Sequence, residues 1–198
     1  MVMEAQVLEI KNSEYVSFAE EQANRLRDVT RVKLDFPKPG VNFLDFNQAF
    51  LNPNLTKDLA KAFIGQLSIS PDDVILAPEA RGFILAPVIS TLAGCPFIPL
   101  RKHGKLPDFG GLMHAFYGTE YSEDGLDLDT ALGDSLKGRR VIIYDDVLAT
   151  GGTAEAAAIL ASYLDPANIS FCFLAEIATL NGRDKISRYG NTYSLLPF

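Results

Sequence analysis

The stretch Val141-Ile142-Ile143-Tyr144-Asp145-Asp146-Val147-Leu148-Ala149-Thr150-Gly151-Gly152-Thr153 decides how the rest of the chain is read. An apolar run ends in two adjacent carboxylates, and a loop of small residues follows at once. Ala154-Glu155-Ala156-Ala157-Ala158-Ile159-Leu160 then has the composition of a helix. Strand, acidic pair, glycine turn and helix start form a place for a phosphorylated sugar. Loop N–H groups and the helix dipole hold a phosphate, and ionised carboxylates accept hydrogen bonds from hydroxyls. A phosphate at one end and a diol at the other fit a ribose 5-phosphate. An Asp-Asp pair alone would equally serve as a helix cap after a glycine turn. The Ala-Thr-Gly-Gly-Thr run joined to it favours the phosphate reading.

Working outward, apolar strand signals alternate with helical ones. Ser17 to Val29 reads as an amphipathic helix, with Ser17 and Glu20 spaced as a capping box. Phe36-Pro37-Lys38-Pro39-Gly40 excludes regular structure, and Val41 to Phe46 reads as a short strand. A second helix is expected over Leu55–Leu67 after the Asn52-Pro53-Asn54 turn. Val74–Ala77 and Cys95–Leu100 read as strands. Gly82–Leu92 between them reads as a helix, which Pro87 confines or kinks. Lys102 to Tyr121 shows no sustained period, and so long an irregular stretch in a compact domain is often a lid. Val141–Tyr144 and Ile169–Ile177 are strands flanking a helix over Ala154–Tyr163. The alternation predicts an α/β domain with a mostly parallel central sheet flanked by helices. In such sheets ligands bind beyond the carboxyl ends of the strands.

Composition narrows the classes. With 198 residues, 47% hydrophobic and 22% charged, the chain suits one sizeable domain with a substantial core. A net charge of −7 disfavours a nonspecific nucleic-acid or membrane-surface role. Cys95 and Cys172 sit in apolar settings without metal-ligand or redox spacing, which reads as buried free thiols. Glu4, Gln6 and Glu9 break the opening segment as a secretory signal, and no apolar run reaches membrane-span length. A cytoplasmic protein without membrane or nucleic-acid partners is therefore expected.

Three further segments line up with the loop. Pro78-Glu79-Ala80-Arg81-Gly82 follows a strand and opens a helix, where amides beside an arginine suit a polyanion. The same residues also read as a plain helix start with Glu79 in its first turn, and the segment alone does not separate the two. Arg101-Lys102-His103-Gly104-Lys105 places three cations beside a glycine in an acidic protein, which favours anion binding over a solvated charge run. In Tyr117-Gly118-Thr119-Glu120-Tyr121-Ser122 a carboxylate lies between aromatics. Such a group can serve in proton transfer, although a surface glutamate fits the sequence as well. His103 and His114 fall in the expected lid with no third ligand to pair with them, so polar roles rather than metal binding are expected.

These segments, with Phe36-Pro37-Lys38-Pro39-Gly40-Val41, Ala80-Arg81-Gly82-Phe83 and Asn181-Gly182-Arg183-Asp184-Lys185, occur in an order that resembles the adenine phosphoribosyltransferases. The resemblance covers about Phe36 to Phe198. It implies the type I phosphoribosyltransferase fold with a small hood, a hood segment over 36–50 and a flexible lid over 102–121 in a single domain; the helical extension over residues 1–35 is longer than the family's short form. It implies purine salvage, in which 5-phosphoribosyl 1-pyrophosphate with Mg²⁺ and adenine give AMP and pyrophosphate. Asp145 and Asp146 would hold the ribose hydroxyls, and Ala149, Thr150, Gly151, Gly152 and Thr153 the 5-phosphate. Arg81, Arg101, Lys102 and Lys105 would neutralise the pyrophosphate, one or more of them reaching a neighbouring subunit in a homodimer. Glu120 would handle the proton at purine N7 beside Tyr121 in the substrate site, and Phe43 would stack on the base. Mg²⁺ would be held mainly by substrate oxygens, with no dedicated protein ligand.

The chain departs from the family pattern at Asn42 and Leu44 in the hood segment, at Glu79-Ala80, and at Ala86-Pro87. The first two lie near the implied base pocket, so hypoxanthine or guanine stays open beside adenine. A non-catalytic sensor of phosphoribosyl pyrophosphate is a third reading. Regulators of that kind add a DNA-binding domain, for which the 35 residues before Phe36 are too few.

Overall fold

A computed structural model describes residues 2–36, 39, 42–118 and 124–198, with side chains from residue 14 onward except at 134 and 135. The chain divides into two compact units, Met1–Ile69 and Ser70–Phe198.

The first unit holds α1 (Val2–Val29), the antiparallel pair β1 (Arg31–Lys33) and β2 (Phe43–Asp45), α2 (Asn47–Phe50) and α3 (Pro53–Leu67). Ala19, Ala23 and Leu26 recur at helical spacing and are buried, and α1 packs against α3, whose Leu59, Ala60 and Phe63 are buried in turn. The helix expected from Ser17 begins far upstream instead. Residues 2–16 contain neither Pro nor Gly, so nothing interrupts the helix before Ser17, and the capping box lies in its interior. The Asn52-Pro53-Asn54 turn is itself the start of α3. Asn52 accepts from the N–H groups of Asn54 and Leu55 at 3.1 Å, and Pro53 occupies the first helical position, where its missing N–H costs nothing.

The second unit is built on a seven-stranded sheet. Its elements are β3 (Val74–Pro78), α4 (Gly82–Ala93), β4 (Phe97–Lys102), β5 (Leu112–Phe116), β6 (Gly125–Asp129), a 3-10 turn at Thr130–Leu132, α5 (Gly133–Leu136), β7 (Arg140–Leu148), α6 (Gly152–Ser162), β8 (Asn168–Glu176), a second 3-10 turn at Ala178–Leu180, α7 (Gly182–Ile186) and β9 (Gly190–Pro197). The strand order is β5-β6-β4-β3-β7-β8-β9. Strands β4, β3, β7, β8 and β9 run parallel, and β6 joins β4 and β5 antiparallel. The expected mostly parallel sheet is therefore present. Helix α6 contacts β3, β5, β6 and β7, with Ala156, Ala157, Ala158 and Ala161 buried; side chains this small let a helix backbone lie close on a sheet.

Two expectations are corrected and a third is narrowed. The stretch Lys102 to Tyr121 is not irregular throughout, since Leu112–Phe116 forms β5; only Ala115 in it is buried, which leaves no apolar period to read. Helix α4 runs through Pro87, so the proline does not confine it. Strand β7 extends past the acidic pair to Leu148, because β8 pairs with it along that length. Among the described residues no helix is long and apolar enough to cross a membrane.

Asp73, just before β3, ties the start of that strand to the start of β7. Arg140 donates to its two oxygens at 2.9 and 2.6 Å, and the N–H of Ser70 donates at 2.7 Å. Burial opposes the Asp73 charge, but these bonds and the guanidinium hold its carboxyl below the usual range. Removing one partner of a buried ion pair leaves the other uncompensated. Asp73→Ala is therefore expected to lower the unfolding free energy by about 3 kcal/mol, read by urea denaturation.

Candidate active site

Strand β7 carries Asp145 and Asp146 to the carboxyl half of the sheet, with β3 on one side and β8 on the other. Neighbouring strand residues point to opposite faces, so the two carboxylates diverge. Asp145 Oδ1 turns back to accept the Asp146 N–H at 2.9 Å. Asp146 is 4% exposed and pairs with Arg81, whose Nε lies 3.0 Å away at the start of α4. Burial, and next the charge of Asp146, push the Asp145 carboxyl well above the usual carboxylate range. Burial raises Asp146 as well, with the Arg81 guanidinium working the other way. The site thus stores two costly carboxylates against one cation.

The loop that follows turns on Gly151, whose φ of 81° is left-handed backbone that favours glycine. Gly151 is also the cap of α6, and no side chain there bonds the helix's first N–H groups. Those groups have no acceptor within the helix and stay available to an anion. Residues 149–154, with Asp145 and Phe173, line an open pocket of about 290 Å³. Behind the loop, α7 comes close to its backbone. A Cβ on Gly182 would stand 2.2 Å from the carbonyl oxygen of Ala149, and one on Gly151 would stand 2.7 Å from that of Gly182. Glycine at both positions is what lets α7 close against the loop. Tyr117 packs over Gly152, and its hydroxyl hydrogen-bonds that of Thr153.

The expected cationic cluster is organised by Glu79, at the end of β3. Its oxygens accept from the Lys102 N–H at 3.0 Å, Arg101 Nε at 3.0 Å and Lys105 Nζ at 3.3 Å. The Lys102 N–H first, with Arg101 and Lys105 outweighing the cost of burial, brings the Glu79 carboxyl down to about 2. The Glu79–Ala80 peptide is cis. Three of the four cations expected to meet a polyanion thus hold carboxylates here, Arg81 through Asp146 and Arg101 and Lys105 through Glu79, while the Lys102 side chain is exposed.

The second unit therefore sets Arg101, Lys105 and the Lys102 N–H against Glu79, Arg81 against Asp146, and Asp145 beside the loop from Ala149 to Thr153. Glu120 and Tyr121 lie outside the described residues. Phe43 belongs to the first unit, on β2 opposite Lys33, where its ring meets that of Phe36 edge-on at 5.5 Å. Leu44 beside it is buried and Asn42 exposed. Sequence reading missed the grip of Glu79 and the approach of Gly182, because both depend on strand adjacency and backbone distance rather than residue pattern. It also found no third group for His103 and His114. The structure supplies one: Asp127 on β6, 2.8 Å from Nδ1 of each ring. The acid was hidden in Gly125-Leu126-Asp127-Leu128-Asp129, whose alternation was the available signal.

A family model described as the phosphoribosyl transferase domain matches residues 49–193. The adenine phosphoribosyltransferase of Natranaerobius thermophilus is 40% identical over 166 residues, covering 83% of this chain and 94% of that protein. The chain belongs to the adenine phosphoribosyltransferase family. The Kluyveromyces lactis member of this family is 36% identical, over 84% of this chain and 89% of its own length. A structure of the Saccharomyces cerevisiae adenine phosphoribosyltransferase, solved with an imino-altritol bisphosphate and adenine, superposes with a TM-score of 0.78. It is 33% identical and covers 88% of this chain and 98% of its own. The Giardia lamblia enzyme complexed with 9-deazaadenine gives the same TM-score at 28% identity, covering 89% and 97%. The sheet and helices described above are thus the type I phosphoribosyltransferase fold.

The raised Asp145 carboxyl has a consequence for stability. The folded state takes up its proton more readily than the unfolded chain does, so wild-type stability falls as pH rises from the ordinary carboxylate range through the raised value. Asp145→Asn keeps an acceptor for the Asp146 N–H and removes that charge. At neutral pH the variant is expected to melt roughly 2–4 °C above wild type, the shift for about 1 kcal/mol in a chain of this size. The gap should close as pH falls, in thermal unfolding followed across pH.

Proposed function

We propose that this adenine phosphoribosyltransferase family member works in purine salvage, transferring the 5-phosphoribosyl group from 5-phosphoribosyl 1-pyrophosphate to adenine to give AMP. The observation that carries the reading is the loop at 149–153, with its uncapped helix start and the two carboxylates preceding it. The bond from ribose C1 to the pyrophosphate oxygen breaks and a bond from C1 to the base nitrogen forms. The base gives up one proton. The ribose hydroxyls would donate to Asp145 and Asp146, and the 5-phosphate would lie on the amides of Ala149 to Thr153.

Charge develops on the departing pyrophosphate, where fixed cations stabilise it. Arg81, Arg101, Lys102 and Lys105 would supply them, and pyrophosphate oxygens would compete with Asp146 and Glu79 for three of the four. The lid at 102–121 would exclude water, Glu120 would handle the proton at purine N7 beside Tyr121, and Phe43 would stack on the base. These last roles rest on the family resemblance.

A magnesium ion fits this donor set in a limited way. Asp145 and Asp146 offer the hard oxygen ligands beside the loop, but Asp146 already holds Arg81, so most of the ion's shell would come from substrate oxygens and water. When bound it would neutralise pyrophosphate charge. The same reading places the protein in the cytoplasm as a homodimer, with one or more of the four cations reaching a neighbouring subunit's site.

The test is nucleotide formation from phosphoribosyl pyrophosphate, Mg²⁺ and each purine base. Adenine is expected to turn over fastest. Hypoxanthine or guanine turning over well above adenine would reassign the acceptor, and binding without turnover of any base would make the protein a sensor. Glu120→Gln is expected to lower kcat by on the order of 10²-fold or more, the usual contribution of a proton-transfer group, with little change in phosphoribosyl pyrophosphate binding. A near wild-type kcat would remove Glu120 from that role.

A further inference from the structure

One set of donor groups in the second unit has no part in the reaction above. Strand β6 sets Asp127 directly opposite His114 on β5 and Arg101 on β4. His103 lies two residues beyond Arg101, so it shares that residue's face. Both histidine Nδ1 atoms stand 2.8 Å from the same oxygen, Asp127 Oδ1, and Oδ2 accepts the Gly104 N–H at 2.9 Å. Asp127 is fully buried, while the imidazole side chains are 36% and 39% exposed. Among the described residues no lysine or arginine pairs with this carboxylate; two imidazoles and one amide surround it.

We propose that His103, His114 and Asp127 form a binding site for a late first-row divalent cation, namely zinc. Two imidazole nitrogens and one carboxylate oxygen suit zinc, whereas magnesium and calcium favour shells of oxygen. The three donor atoms already lie within 4.8 Å of one another. Zinc bonds of about 2.0–2.1 Å set tetrahedral donors roughly 3.3 Å apart, so each nitrogen would open by about 0.5 Å from the carboxylate oxygen and the two nitrogens, within 4.8 Å of each other, would settle to that spacing. The N–H of Gly104 pins the second oxygen and keeps the first aimed at the rings, the service an outer-shell partner gives a metal ligand. The solvent-facing rings provide the way in and leave the fourth position to water. His103 opens the loop that carries Lys105, and His114 lies on the strand that closes it, so one ion ties both ends of that loop. The ligands differ from the carboxylates offered to magnesium, and the site stands whatever base the enzyme prefers.

The experiment is calorimetric titration of the metal-free full-length protein with zinc chloride, with magnesium in excess to occupy oxygen-rich sites. Wild type is expected to bind one zinc ion per chain. His103→Ala and His114→Ala, at exposed rings, are each expected to weaken binding by roughly tenfold or more, at least the loss that removal of an outer-shell partner causes. Zinc should raise the melting temperature of wild type by more than that of either variant. His114→Gln keeps a hydrogen-bond donor for Asp127, so a well-folded variant with weakened zinc binding separates the ion from the fold. No zinc binding by wild type, or unchanged affinity in the folded variants, would overturn the proposal.

Discussion

The site depends on one close approach of backbone to backbone. The chain reverses at Gly151 with a positive φ, and Gly182 lies close against that reversal. Neither position has room for a Cβ. At these two positions it is backbone, before any side chain, that limits the space. The end of β7, the start of α6 and the start of α7 meet there at van der Waals distance. The rest of the second unit sets those ends: β8 pairs with β7 as far as Leu148, and the alanine face of α6 lies close on the sheet.

Around the loop, charge is balanced before any substrate arrives. Arg81 is held by Asp146, and Arg101 and Lys105 by Glu79. A protein of net charge −7 can keep cations beside an anion site because carboxylates fix where they stand. Preorganised charge stabilises a departing anion without the cost of rearranging water. The cost falls on the carboxylates, and the raised Asp145 shows where burial concentrates it.

What the sequence disclosed follows the same division. Strands β3, β7 and β8 and helix α6 were legible because they are apolar runs bounded by turn residues, buried between neighbours. The loop was legible as a run of small residues with two glycines straight after a strand. Strands β5 and β6 were not. The first is half exposed, and the second buries Asp127, a residue that hydropathy places at the surface. The start of α1 was misplaced because a capping pair occurs inside a helix as readily as at its end when nothing upstream breaks it. Glu79 could not be assigned, since its grip on Arg101 and Lys105 exists only once β3 and β4 lie side by side.

Gly182 is where the contact between α7 and the loop at 149–153 can be altered alone. Gly182→Ala puts a methyl group where the Ala149 carbonyl stands, 2.2 Å from the new carbon. Phosphoribosyl pyrophosphate binding, measured by calorimetry on protein shown by circular dichroism to be folded, is predicted to weaken by about tenfold or more, roughly 1.4 kcal/mol. An unchanged dissociation constant in a folded variant would contradict the account.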